Sequence, residues 1–203
     1  RVAEGSDKSD GIEENDFMAR SGIVHRLDKA TSGAIIVAKN PEAFINLQGQ
    51  FKNHEVKKEY LTLVHGRIKE RRGKITAALG RDPGNQLRFA VREIGGRESL
   101  TEYEVTGYYQ SGPEVFTFLL VRPQSGRTHQ IRVHFKHIGH PLVGDEIYTG
   151  HRLFQHDLAF CPRLFLHAFS VSFMQPKSGA WLRIECPLPE ELETVLKNLD
   201  PIK

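Results

Sequence analysis

Cysteine is scarce in this sequence. Cys161 and Cys186 are the only two in 203 residues, and they form no C-x-x-C pair. That argues against a disulfide framework and a structural zinc site, and suits a reducing compartment. Long apolar runs are missing as well: none approaches the roughly 18 residues that cross a bilayer. No secretory signal pattern is visible, so no membrane partner is expected and a cytoplasmic location is. The sequence opens on Arg1, not Met, and a targeting segment missing ahead of it would make the location organellar instead. There is no glycine-rich nucleotide-binding motif, no internal repeat and no low-complexity tract, and no cofactor is expected. What remains is a chain of single-domain length. It is long enough to bury about 70% of the surface its unfolded form exposes, without metal or disulfide. A monomer is expected.

Charge is present but lopsided. The formal net charge is +3, yet residues 1–16 hold six acids against Arg1 and Lys8. The polar, aperiodic stretch 1–21 reads as a flexible acidic lead-in, and residues 22–203 as the folded domain. At the other extreme, RPQSGRTHQIRVHFKH (122–137) carries four Lys or Arg, three histidines and no acid. Such a stripe either faces a polyanion or is a solvated basic face with no partner.

Hydrophobic periodicity gives the elements. Residues 34–39, β-branched, predict a short strand. Asn40-Pro41 supplies a cap and a first helical position, and Phe44, Leu47 and Phe51 share one face of the helix that follows, ending at His54-Glu55. Residues 56–65 predict a strand with Leu61 and Leu63 on one face and Tyr60, Thr62 and Val64 on the other. From 73 to 123 the pattern is β throughout, broken by turn clusters at 82–85 and 95–96. Residues 128–138 switch to helical period, with Ile131, Phe135 and Ile138 aligned. Residues 165–174 and 181–186 predict two more strands, and a helix within 187–199 turns Leu192, Val195, Leu196 and Leu199 inward. The sum is an α+β fold on a largely antiparallel mixed β-sheet with flanking helices, without a second domain boundary.

Three stretches exceed what packing requires. GIVHRLDKATSG (22–33) crowds His25, Arg26, Asp28 and Lys29 ahead of the apolar run. Its polar residues either satisfy backbone groups in a turn or include a catalytic carboxylate, Asp28, managed by an arginine. KKEYLTLVHG (57–66) places Tyr60 opposite a leucine face, as an ordinary half-buried strand tyrosine also would be. GRTHQIRVH (126–134) puts Arg127 at the start of a helix, the unfavourable end for a cation unless an anion meets it. His129, His134, His137 and His140 admit a metal-dependent RNA hydrolase, His134 and His137 sharing a helical face. No carboxylate lies between Glu114 and Asp145 to complete such a site, and no metal is expected.

Together, HRLD-x-x-TSG (25–33), K-x-Y-x-x-x-V-x-G (58–66) and GRTHQIRVH resemble the signature blocks of the RluA-type RNA pseudouridine synthases. The run GHPLVGD (139–145) with Tyr148, then Leu166-His167-Ala168 and Pro187-Leu188-Pro189, resembles the family's continuation. The resemblance covers residues 22–199 and implies the pseudouridine synthase catalytic fold. It implies Asp28 as the catalytic carboxylate, acting at ribose C1′ or on a ribose proton, with Arg127 as its ion partner and Tyr60 stacked on the flipped uracil. Arg26 would fill the gap left by the base, and Lys29, His129, Arg132 and Lys136 would lie near phosphates. The implied partner is ribosomal or transfer RNA. The family's N-K-P-type segment and S4-type domain are not in this sequence, so a catalytic fragment, or a chain with its upstream part lost or separately encoded, is expected. The alternative reading is a non-catalytic RNA-binding module of the same fold. His25 receives no role.

Overall fold

The computed structural model describes residues 15–203; the expected lead-in at 1–14 lies outside the described residues. In chain order the elements are β1 (Ser32–Gly33), α1 (Pro41–Lys52), β2 (Lys57–His65), β3 (Arg72–Asp82), β4 (Asn85–Val91), β5 (Arg97–Ser111), β6 (Glu114–Pro123), α2 (Gln130–His137), α3 (His151–Asp157), β7 (Leu166–Met174), β8 (Trp181–Glu185), α4 (Glu190–Lys197) and β9 (Asp200–Ile202). The described chain forms two units. One comprises residues 28–34, 57–171 and 184–203, the other the described residues up to Leu27, 35–56 and 172–183. Each is assembled from segments far apart in sequence, so no linker composition marks a boundary.

The larger unit is built on a sheet ordered β1-β7-β2-β6-β5-β3-β4, with β9 added on β5. β2–β6, β5–β6, β3–β5 and β3–β4 pair antiparallel, and β1 pairs parallel with β7. The α+β fold with a largely antiparallel mixed sheet is therefore the observed one. Side chains alternate across a strand, and β2 has a core on each face. Val64 joins Tyr103, Leu119, Val121 and Phe135 on one side, with Tyr60 packed against the same cluster, while Leu63 joins Phe116, Phe165, Leu192 and Val195 on the other. Leu63 and Val64 are wholly buried, and each such side chain contributes roughly 1.5–3 kcal/mol. α4 supplies Leu192 and Val195 to the second core, as its period predicts. α2 supplies Ile131 and Phe135 to the first, but Ile138 is the C-cap and 37% exposed.

In the smaller unit Asn40 caps α1, its Oδ1 accepting from the Ala43 N–H at 2.8 Å. Phe44 and Leu47 pack with Val24 and Ala38, and Phe51 borders them. Residues 15–19 are helical, not an irregular lead-in, and the Phe17 ring meets Phe44 edge-on at 5.8 Å. One apolar residue in a polar run is enough to dock it. The strand expected at 34–39 does not form as a ladder. Only Val37 bridges, to Ile23, and the Ile36 N–H goes to His25 Nε2 at 2.9 Å. Ile35 and Val37 are about half exposed.

Candidate active site

Asp28 sits in a tight turn whose fixings explain the polar residues after it. The Thr31 N–H donates to the Asp28 carbonyl at 2.9 Å, and Arg163 holds the Ala30 carbonyl at 2.9 Å. β1 then seats Ser32 and Gly33 beside His167 and Ala168. Ser32 Oγ meets His167 Nδ1 at 2.9 Å, and His167 Nε2 meets the Cys186 carbonyl at 2.9 Å. At Gly33 φ is +119° and a Cβ would run into the Ala168 carbonyl, so glycine is required. The carboxylate is thus carried on a turn anchored to β7, with 17% of its side-chain surface exposed.

Its ion partner is Arg132, not Arg127. Arg132 Nη1 donates to Asp28 Oδ2 at 3.2 Å, while Nε and Nη2 fork onto Asp145 at 2.8 and 2.7 Å. Arg132 is 5% exposed and Asp145 1%, so Arg132 is no phosphate contact. Burial pulls its pKa down, but the hydrogen bonds and charges of Asp145 and Asp28 outweigh that and raise it. Asp145 further accepts from the Ile147 and Tyr148 N–H groups at 3.0 and 3.2 Å, and the Tyr148 ring lies 5.1 Å from the guanidinium. The helix is the reason for the change of arginine. α2 begins only at Gln130, after a left-handed His129, and Arg132 is in its first turn. Arg127 stays in the preceding turn. Its N–H donates to Gln130 Oε1 at 3.1 Å, and its buried Nε has no hydrogen-bond partner among the described residues.

Tyr60 and Lys58 alternate onto one face of β2. Burial first, then the negative charge of Asp28, push the Tyr60 hydroxyl up to about 12, so it stays protonated at neutral pH. Burial lowers Lys58, whose Nζ donates to the Ser125 carbonyl at 3.2 Å. Gln130 ties that turn to β5: Nε2 donates to the Leu100 carbonyl and to Thr101 Oγ1, both at 3.0 Å, and Oε1 accepts from Ser125 Oγ at 2.6 Å. His129 Nε2 lies 3.9 Å from Asp28 Oδ2.

The remaining expected residues are placed as follows. Lys29 and Lys136 are exposed in the same unit, and Arg26 is exposed in the smaller one. His25, also there, accepts from Ile36 and stacks on Phe51 at 4.7 Å, a bracing role. The acid-free stripe is in part paired or buried, with Lys136 and His137 left exposed. Arg122 is held by Glu59 at 2.7 Å and Glu104 at 3.4 Å, and His134 is wholly buried against Ser99 Oγ at 2.9 Å. His140 Nδ1 meets the His65 carbonyl at 2.8 Å, so His134 and His140 have other work.

An aspartate gripped by a buried arginine, beside a protonated tyrosine, is suited to glycosidic chemistry on a ribose. Residues 7–137 match the family model described as RNA pseudouridylate synthase.

The chain belongs to the RNA pseudouridine synthase family.

It is 41% identical over 180 residues to an uncharacterized RNA pseudouridine synthase of Chloroflexus aurantiacus, covering 89% of this chain and 54% of that one. It is 40% identical over 183 residues to ribosomal large subunit pseudouridine synthase D of Nitrosomonas europaea, covering 89% and 52%. Among solved structures, human RNA pseudouridylate synthase domain containing 1 matches with a TM-score of 0.75 at 32% identity, over 89% of this chain and 74% of that one. The chain spans about half the length of the curated relatives it matches. Within this candidate site, the grips of Asp145, Tyr148 and Gln130 are not legible in the sequence. Asp145 and Tyr148 stand in a quoted block, but nothing in their spacing pairs them with residues on α2.

Proposed function

We propose that this chain isomerises uridine in RNA to pseudouridine, with Asp28 as the catalytic carboxylate. The observation that carries the reading is the Arg132–Asp28 ion pair next to a tyrosine that keeps its proton. The N1–C1′ bond breaks with its electron pair going to the base; the base turns, C5 bonds to C1′, and the C5 proton is released as N1 regains one. No oxidant, donor group or metal enters that balance. The Asp28 carboxylate stabilises positive charge on C1′, by bonding to it or by removing a ribose proton, and Arg132 holds one of its oxygens in place. Tyr60 stacks on the flipped uracil, a contact worth roughly 1–3 kcal/mol. Arg26, two residues before Asp28 in the chain, fills the vacated stack, and Lys29 and Lys136 meet phosphates, which gives affinity rather than sequence choice. Arg127, unpaired within the described chain, joins them there.

Ribosomal RNA is the first substrate class, because two of the matched relatives are named for the large ribosomal subunit; transfer RNA is the second. The chain acts as a monomer, in the cytoplasm, or in an organelle as the matched rice relative is named chloroplastic. No described helix is long and apolar enough to cross a membrane.

The test is single-turnover tritium release from C5-tritiated ribosomal and transfer RNA transcripts. Release by the wild type and none by Asp28→Asn is expected. Tight RNA binding without release, unchanged by Asp28→Ala, would replace the enzyme with a binding module.

A further inference from the structure

His129 is the strained point of the site. Its backbone is left-handed, φ 55° and ψ 21°, which a residue with a side chain holds only where its surroundings fix it. Glycine would make that turn without strain, so what histidine adds is its ring. The ring lies edge-on to Tyr148 and Phe89, at 5.6 and 6.1 Å between centroids. Nδ1 is 2.9 Å from the Tyr148 hydroxyl. That hydroxyl already accepts the Phe89 N–H at 3.0 Å, which leaves its own proton to give. Burial raises the pKa of the phenol, so the proton is there to be given. Donation to Nδ1 puts the ring proton on Nε2, which stands 3.9 Å from Asp28 Oδ2, an electrostatic contact longer than a hydrogen bond. Oδ2 is also the atom that accepts from Arg132. Oδ1 has no hydrogen-bond partner among the described residues.

We propose that His129, held in its Nε2–H tautomer by Tyr148, is a positioning residue for Asp28: with Arg132 it fixes Oδ2 and so presents Oδ1 to the ribose. This rests on Asp28 acting at the sugar, as argued above. Bonding to C1′ and removing a ribose proton each use one carboxylate oxygen, and a carboxylate free to rotate offers either. One hydrogen bond from Arg132 and one N–H dipole 3.9 Å away, both at Oδ2, reduce that ambiguity before the substrate arrives.

Single-turnover release over a range of RNA concentrations tests it, with His129→Ala, His129→Gln and Tyr148→Phe. His129→Ala is expected to lower the maximal rate about tenfold, as misplacement of a reacting group does, with the half-saturating RNA concentration unchanged. His129→Gln regains most of the rate, since its amide N–H reaches where Nε2 stood. Tyr148→Phe loses rate although it keeps the ring beside Arg132. An unchanged maximal rate with weaker RNA binding would make His129 a phosphate contact. Equal losses in the Ala and Gln variants with a lowered Tm would make it a residue of the fold. Either result overturns the proposal. Histidine-ring nitrogen NMR decides it apart from activity, the His129 signals being those that vanish in His129→Gln. An Nε2–H ring that changes tautomer in Tyr148→Phe is expected, and an Nδ1–H ring in the wild type overturns the proposal. Absence of tritium release from the wild type would instead overturn the functional reading.

Discussion

Arg132 commits Nε and Nη2 to Asp145 and Nη1 to Asp28. Only a planar guanidinium can serve three oxygens of two carboxylates at once; an ammonium of similar reach is a single point of charge. Arg132→Lys is therefore predicted to leave part of two carboxylate grips open. It should lower single-turnover release at least a hundredfold and cost a few kcal/mol of stability, since breaking a buried pair typically costs about 3–5 kcal/mol. Arg127→Lys keeps a charge where no carboxylate is held, and should change the maximal rate by less than threefold. Urea unfolding together with tritium release checks both. Equal losses of activity in the two variants would mean that the ion pair does not carry the chemistry. Sequence alone could not choose between these arginines. Both stand in GRTHQIRVH, and the choice turns on a left-handed His129 that starts the helix later than periodicity suggests.

At the scale of elements, α2 is the piece that joins site to scaffold. Its first turn delivers Arg132 towards Asp28, while His134 meets β5 through Ser99, whose hydroxyl in turn donates to the Ala77 carbonyl on β3. Ser99 has then spent its proton, so His134 Nε2 carries the hydrogen, and Nδ1 is buried without a partner among the described residues. Burial drives the His134 pKa down to about 4 from 6.5. Between those values the unfolded chain binds a proton that the folded chain refuses, so stability falls as pH drops from 6.5 to 4, by about 3 kcal/mol at most. His134→Leu should remove that part of the slope, seen as a shallower fall of the urea midpoint with acid. An unchanged slope would mean that acid loosens the protein elsewhere. Elements with a strong period were readable: α1 from Asn40-Pro41 and its apolar face, the strands β2 to β8 from alternation, α4 from four leucine and valine positions. The unread ones have little local signal. β1 is two residues held by one parallel pairing with β7, β9 is three residues held by β5, and α3 is a seven-residue polar helix that starts behind Gly150 without a side-chain cap.

For the whole molecule, electrostatics must be counted in space rather than along the chain. The stretch 122–137 has no acid of its own, yet Glu59, Glu104, Asp28 and Asp145 arrive from other segments and neutralise Arg122 and Arg132. A formal charge of +3 therefore need not act as a single basic face. The charges free to release counterions from RNA are exposed ones such as Lys29 and Lys136, and each phosphate contact steepens the salt dependence by roughly 0.7–0.9 in log Kd against log salt. Lys136→Gln should thus flatten that slope by about one contact and leave the maximal rate of release unchanged. Arg122→Gln, which removes a charge already held by two glutamates, should leave the slope as it was. Filter binding of a ribosomal RNA transcript between about 50 and 200 mM salt, a range over which such contacts weaken binding strongly, measures both slopes. If Arg122→Gln flattens it and Lys136→Gln does not, the Arg122 end of the stripe meets the RNA, and its glutamate pairs open when RNA binds.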